Sequence, residues 1–362
     1  MKNLDETRKK IDDIDVKILE LLNRRAEHVR DIAGVKMREK LPPFDPSRER
    51  AIIESLADKN RGPLKKGDIE LIMDTIFKVY RSMFKPIKTA YLGPEGTFTQ
   101  QAAMKKFGEK GEYLPCKTIN NVFREVEQGR ADYGVIPVEN SIEGVVTHTL
   151  DMFVDSNLKI TSEILLHVHH FLLSGESSIK EIKRVFSHPQ AISQCWNWIM
   201  GNLPRVEIIE TESTAKAAEM AKKEKEAAAI GSEAAASIYG INILAERIED
   251  YGENITRFLV IGSECPKKTA SDQTSVVLSI KDKVGALQDI LKHFTEKKVN
   301  LTRIESRPSK RKAWDYLFFF DFIGHKDDNR IKEVLGELEK ESVFLKVLGS
   351  YPTGGKNGTQ SQ

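Results

Sequence analysis

Over the first forty positions, Ile11, Ile14, Ile18, Leu21, Leu22, Val29 and Ile32 recur at spacings of a helical repeat. That period lines them along one side of an amphipathic helix, predicted from Leu4 to about Lys40. Pro42 and Pro43 end it, since a proline cannot donate the helical hydrogen bond. Asp45-Pro46 opens a second helix running to about Lys59, with proline in its first turn. "RGPLKKGD" reads as a turn, and Asp68 is expected to cap a third helix that ends near Lys85-Pro86.

From Lys88 the texture changes. Short apolar runs alternate with glycine turns and helical patterns as far as Gly262, which predicts an α/β domain with a largely parallel sheet. The polar stretch "SECPKKTASDQ" reads as a linker. Beyond it, strands at 274–280, 299–306, 314–324 and 343–350 alternate with helices at 285–297 and 329–340. The order βαββαβ predicts an α+β, ferredoxin-like domain. The expected division is therefore multidomain: all-α over 1–86, α/β over 88–265, α+β over 273–350, and a disordered tail over 351–362.

Composition narrows the class of protein. With 40% hydrophobic and 30% charged residues, the 362-residue chain has core material for two or three soluble domains. Its 56 basic and 54 acidic residues leave a net charge of +2, so no field favours nucleic acid or an anionic membrane. Three distant cysteines without a C-x-x-C, and a charged start lacking an apolar stretch, point to a cytoplasmic chain with reduced thiols. Asn254, Asn300 and Asn357 each begin an N-x-T triplet, which matters only in secreted chains.

The helical segment carries Arg8, Arg25, Lys36, Asp45, Arg48 and Glu49. By composition these form a solvated, charged face. Arg25 and Lys36 are eleven residues apart, about three turns, and so share a side of the helix. Arg8 lies roughly 25 Å from Arg25 along the axis, at about 1.5 Å per residue, too far to grip the same small ligand within one chain. "TRKKIDDIDVKILELLNRRAEHVRDIAGVKM", followed by "FDPSRER", resembles the all-helical chorismate mutases, which are intertwined dimers. The resemblance implies that Arg25, Arg48 and Arg8 of the other chain hold the two carboxylates of chorismate. It further implies that Lys36 meets the ether oxygen, that Glu49 accepts from the substrate hydroxyl, and that Asp45 supports the site. Preorganised cations suit a pericyclic rearrangement that needs neither nucleophile nor cofactor. The family's third helix ends with Ser and then Gln or Glu; Phe84 and Lys88 fall at those places, with Ser82 nearby.

In the middle segment, "GPEGTF" is a glycine turn before a helix, suited to an anion, but neither a Walker loop nor a dinucleotide fingerprint. Glu139-Asn140-Ser141 reads equally as a capped turn or a ligand contact. His188 reads as structural; "HVHH" at 167–170 reads as a strand with His167 and His169 on one face and His170 on the other. These turns, with "SHPQAISQC", "TESTAKAAEMA" and "NITRFLVIG", resemble a prephenate dehydratase over 90–262. That family has two α/β lobes like a periplasmic binding protein, and the chain crosses back to lobe one near its end. The resemblance implies that Thr256 donates to the departing hydroxyl. Arg257, Thr97, Glu139, Asn140, Ser141, Ser213 and Thr214 would bind or orient the dicarboxylate, with Phe258 packing beside them.

"KVGALQDILKHFTEKKVNLTRIESRP" resembles the ACT regulatory domain. The resemblance implies phenylalanine binding across a dimer interface by Gly285, Ala286, Leu287, Asn300, Leu301, Glu305, Ser306 and Arg307. The bland alternative is an architectural α+β domain. Together the three segments resemble the bifunctional P-protein family of phenylalanine biosynthesis. Chorismate and prephenate are then the substrates, phenylalanine the effector, and a homodimer or larger homo-oligomer the assembly, with no metal or cofactor. Two alternatives stay open: a dehydratase whose helical domain serves only dimerisation, and a non-catalytic two-lobed sensor.

Overall fold

The computed structural model describes residues 4–39, 41, 44–84, 86–280, 283–309 and 316–353, apart from the side chains of Ser82 and Phe84. The N-terminal segment is α1 (Leu4–Arg38), α2 (Pro46–Lys59) and α3 (Lys66–Phe84). Asp45 caps α2, its carboxylate accepting from the backbone N–H of Arg48 at 3.0 Å. Asp68 sits inside α3 and reaches back to the N–H of Lys65 at 2.8 Å, so it braces the helix start from within. Tyr80 pins α3 to α1 by donating to the carbonyl of Leu22. No residue of α1 is buried, and Ile11, Ile14, Ile18 and Leu21 are exposed.

Lobe one begins with β1 (Lys88–Leu92), α4 (Phe98–Phe107), β2 (Glu112–Cys116), α5 (Ile119–Glu127) and β3 (Tyr133–Asn140). It continues with β4 (Gly144–Val145), α6 (Thr147–Asp155) and β5 (Lys159–His167). Lobe two comprises β6 (Phe171–Ser174), β7 (Arg184–Ser187), α7 (Pro189–Gln194), α8 (Trp196–Asn202), β8 (Glu207–Glu210), α9 (Thr214–Lys223), β9 (Ala227–Gly231), α10 (Glu233–Tyr239) and β10 (Asn242–Ala245). The chain then crosses back, and β11 (Ile255–Gly262) joins the first sheet, whose order is β2-β1-β3-β11-β5. Because β11 runs antiparallel to both neighbours, this sheet is mixed rather than largely parallel. The second sheet, β10-β6-β9-β7-β8, is also mixed. Phe44, ahead of α2, packs edge-on against Phe107 and Tyr133, joining the helical segment to lobe one.

The C-terminal unit is β12 (Asp272–Ile280), α11 (Ala286–Glu296), β13 (Leu301–Pro308), β14 (Tyr316–Ile323), α12 (Asn329–Glu341) and β15 (Ser342–Pro352). Its antiparallel sheet, β13-β14-β12-β15, has the ferredoxin-like order. One sheet face is covered by α11 and α12. The other closes a core shared with lobe one, in which Val277, Phe319, Leu348 and Tyr351 meet Val138, Leu150, Phe153 and Ile160. The predicted tail thus starts too early: Tyr351 and Pro352 belong to β15, Tyr351 is fully buried, and 354–362 lie outside the described residues.

Two contacts lock this junction. The Lys346 ammonium donates to the carbonyls of Phe153, Val154 and Ser156, capping the end of α6. Gly349 passes so close to β5 that an added Cβ would lie 2.3 Å from the carbonyl oxygen of Ile160. A backbone oxygen within a sheet cannot step aside, so Gly349→Ala is expected to cost about 1–3 kcal/mol in urea unfolding. An unchanged midpoint would mean that the two sheets slide freely at this contact.

Candidate active sites

A cleft of about 800 Å³ lies between the lobes, and Thr97, Asn140, Ser213, Thr214, Thr256 and Phe258 line it. Thr97 and Ser213 cap α4 and α9, so two helix starts point into the cleft. Lys117, His170, His188 and Gln194 line it too. His188 caps α7 through its ring nitrogen, in addition to facing the cleft.

The hydroxyl of Thr256 meets a donor whose orientation is fixed. Asn140 Oδ1 accepts from the backbone N–H groups of Ile142 and Glu143 at 3.0 and 3.1 Å, which fixes the orientation of the amide. Its Nδ2 must therefore donate, and it does so to Asn254 Oδ1 at 2.7 Å and to Thr256 Oγ1 at 2.8 Å. Thr256 accepts from Asn140, and its own proton is left to be given elsewhere. The amide chain continues from Asn254 Nδ2 to Gln194 Oε1 at 2.8 Å, and Gln194 Oε1 also meets His170 Nε2 at 2.8 Å. Burial lowers the pKa of His170, so the ring is neutral with its proton on Nε2. Among the described residues, its Nδ1 is then a buried acceptor without a partner. Asn254, 1% exposed and held on both sides of its amide, cannot serve as a glycosylation acceptor.

Three residues expected to touch substrate face elsewhere. Along a strand, neighbouring side chains alternate, so Arg257 and Glu139 point away from the face that carries Thr256 and Asn140. Arg257 is gripped by Glu163 at 2.8 Å and Asp321 at 2.6 Å, and Glu139 pairs with Arg303 at 3.5 Å. Ser141 accepts from the N–H of Ile255 and donates to the carbonyl of Glu253, clamping the start of β11 outside the cleft lining. Among the described residues lining the cleft, Lys117 is the one lysine or arginine. The "HVHH" reading also changes: His167 and His169 do stack face to face, but β5 stops at His167 and His170 turns into the cleft.

A second cavity, of about 440 Å³, opens in the helical segment and is lined by Arg25, Lys36, Asp45, Arg48 and Glu49. Arg8 does not line it; it lies far up α1, 3.7 Å from Asp5. The third helix contributes Phe77, Tyr80 and Arg81, which the sequence reading missed. Lys88 instead pairs with Glu112 outside the cavity, and the side chain of Phe84 lies outside the described residues. The Arg25 guanidinium rests over the rings of Phe77 and Tyr80 at 5.2 and 4.9 Å. Arg81 binds Glu49 at 2.7 Å and donates to the carbonyl of Lys106 at 3.0 Å. Burial raises the pKa of Glu49 against the pull of Arg81, and it draws that of half-buried Lys106 down to about 8.

In the C-terminal unit, Gly285 adopts a left-handed φ of 82° at the start of α11, with Ala286 and Leu287 following. Asn300 and Leu301 stand at the entry to β13. Glu305 and Arg307 pair opposite Phe319 and Leu317, on the sheet face turned toward lobe one; Ser306 lies on the other face. Arg307 reaches Asp151 of α6 at 3.4 Å, so it serves the junction rather than an effector pocket.

A two-lobed α/β cleft with an oriented hydroxyl donor, beside a cation-lined helical cavity, defines a multidomain enzyme for small anionic substrates. Sequence profiles described as chorismate mutase type II, prephenate dehydratase and ACT domain match residues 7–83, 89–266 and 274–340. A bifunctional chorismate mutase/prephenate dehydratase of Aquifex aeolicus is 49% identical, over 97% of this chain and 98% of its own. Its counterpart in Pseudomonas aeruginosa is 43% identical, over 95% and 96%. The crystal structure of a prephenate dehydratase from Arthrobacter aurescens in complex with L-Phe matches with a TM-score of 0.69 at 34% identity, over 74% of this chain and 90% of its own. The chain belongs to the family of bifunctional chorismate mutase/prephenate dehydratases.

Proposed function

We propose that this chain carries out two successive steps of phenylalanine biosynthesis. Its 1–86 segment rearranges chorismate to prephenate, 88–265 converts prephenate to phenylpyruvate, and 273–350 senses phenylalanine. The observation that carries the dehydratase reading is the fixed Asn140 amide, which leaves the Thr256 proton free for the cleft. In the reaction the ring carboxylate leaves as CO2, and its C–C bonding pair moves into the ring. The ring then expels its hydroxyl, which takes up a proton and departs as water. The balance is prephenate plus a proton giving phenylpyruvate, CO2 and water. Thr256 donates to the departing oxygen as charge gathers there, and solvent restores the proton. Lys117 and the starts of α4 and α9 at Thr97, Ser213 and Thr214 attract the substrate carboxylates.

For the mutase step, Arg25 and Arg48 hold carboxylates, Lys36 meets the ether oxygen and Glu49 accepts from the hydroxyl. Phe84 and Lys88 stand at the family's third-helix donor places, and Arg81 is the charged residue that α3 brings to the cavity lining instead. The exposed apolar side of α1 is the seam for a second copy, whose own α1 brings Arg8 to this cavity. Phenylalanine as effector is supported by the L-Phe complex of the Arthrobacter relative.

The test is to incubate the purified full chain separately with chorismate and prephenate, following loss of the first and formation of phenylpyruvate from the second. Both conversions are expected, and added phenylalanine is expected to slow the second. A chain that consumes prephenate but not chorismate would reduce the helical domain to a dimerisation device. One that consumes neither would be a sensor.

A further inference from the structure

The catalytic strand pair has two working faces. Thr256 and Asn140 are opposite partners in the β11–β3 ladder, and so are Arg257 and Glu139 one step along. The first pair faces the cleft; the second faces the C-terminal sheet, where Arg257 meets Asp321 and Glu139 meets Arg303. A β-bulge between Arg257 and Phe258 breaks the register immediately beside them. Bulges re-aim side chains near active sites, and here the bend lies next to the proton donor.

The grip on Arg257 is more than one ion pair. Its guanidinium binds Glu163 of β5, Asp321 of β14 and the Tyr351 hydroxyl of β15, with 13% of the side chain exposed. Asp321 in turn accepts from Ser275, and the Tyr351 hydroxyl is shared by Ser275 and Gln273 of β12. Gln273 accepts from Thr302 at 3.3 Å, which directly follows Asn300 and Leu301 in the region expected to meet the effector. A continuous set of hydrogen bonds therefore joins the entry of β13 to the residue beside Thr256. Burial acts to strip the charge from Arg257, but Asp321 foremost among its neighbours holds it protonated.

Resting on the dehydratase reading above, we propose that Arg257 is a positioning residue rather than a substrate ligand. Through Asp321 and Tyr351 the C-terminal sheet sets where β11 holds Thr256, and the effector acts on dehydration by this route. Arg257 thereby couples two sites through a single strand: a shift of the sheet moves the face that holds Arg257, and Thr256 moves with it.

The experiment uses the full chain with Asp321→Asn and, as the milder change, Tyr351→Phe. Prephenate kcat and KM are measured with and without phenylalanine, phenylalanine binding is followed by calorimetry, and mutase turnover with cooperative unfolding on the same sample reports folding. Asp321→Asn is expected to lower dehydratase kcat by about tenfold or more while KM stays within about twofold, because a displaced donor costs rate rather than binding. Tyr351→Phe is expected to keep binding phenylalanine while its maximal inhibition falls by about half or more. Variants that melt earlier yet keep wild-type kcat and full inhibition would overturn the proposal and leave the network merely structural. A wild-type chain inert on prephenate would refute the dehydratase reading itself, a result distinguishable because it precedes any variant.

Discussion

Thr256→Val is expected to cut prephenate turnover by roughly 10²- to 10⁴-fold while the chain still folds. Valine keeps the shape of threonine and the β-branching that suits β11, so the strand and its neighbours should stay in place. What disappears is the hydroxyl that accepts from Asn140 and that the proposal makes the proton donor. Asn140 keeps its bond to Asn254 and loses one of two outlets for its N–H groups. The stability cost is therefore about 1–3 kcal/mol at most. KM should change little, because no carboxylate contact is removed. Thr256→Ser, which restores the donor on a looser side chain, should recover most of the loss. Mutase turnover by the same sample is the internal control. A valine variant retaining near-normal kcat would assign the proton to another group.

How much of this could be read from the chain differs from element to element. The period of Ile11, Ile14, Ile18 and Leu21 is enough to draw α1, and the βαββαβ order to draw the C-terminal unit. The ordered motif around Thr256 is enough to expect it at the cleft, which it lines. Arg257 is expected at the cleft because it adjoins Thr256, and Glu139 because it shares a polar turn with Asn140 and Ser141. Strand alternation already says that neighbours face opposite ways, but only the fold reveals a second sheet waiting on the far side. Strand alternation separates His170 from His167 and His169, but β5 ends at His167, and the turn that brings His170 into the cleft leaves no period in the sequence. Arg81 had a usable signal: it lies four residues beyond Phe77, one helical turn along the same side of α3, and both line the cavity. Gln194 and Asn254 lie within "SHPQAISQC" and "NITRFLVIG", but nothing in either stretch joins them, since sixty residues separate two amides whose chemistry is ordinary until the chain folds them together.

That amide chain supports the second large effect, which tests polarity rather than size. Asn140→Asp is nearly isosteric, and a carboxylate oxygen can still accept from the N–H groups of Ile142 and Glu143, so the turn after β3 should hold. The opposite edge reverses. Where Nδ2 donated to Thr256, a second carboxylate oxygen can only accept, and the threonine proton turns toward it and away from the substrate. The departing hydroxyl loses its donor, and the added negative charge repels a dianionic substrate. The expected loss in kcat is about 100- to 1,000-fold, the scale of removing one well-placed donor. The signature is in the pH profile. As pH falls and the new carboxyl takes up a proton, it regains an O–H that can donate to Thr256 Oγ1, so turnover by the variant should rise toward acid relative to wild type. Asn140→Ala, with no group to titrate, should show no such rise. Near-normal turnover by Asn140→Asp at neutral pH would mean that Thr256 points its proton into the cleft without help.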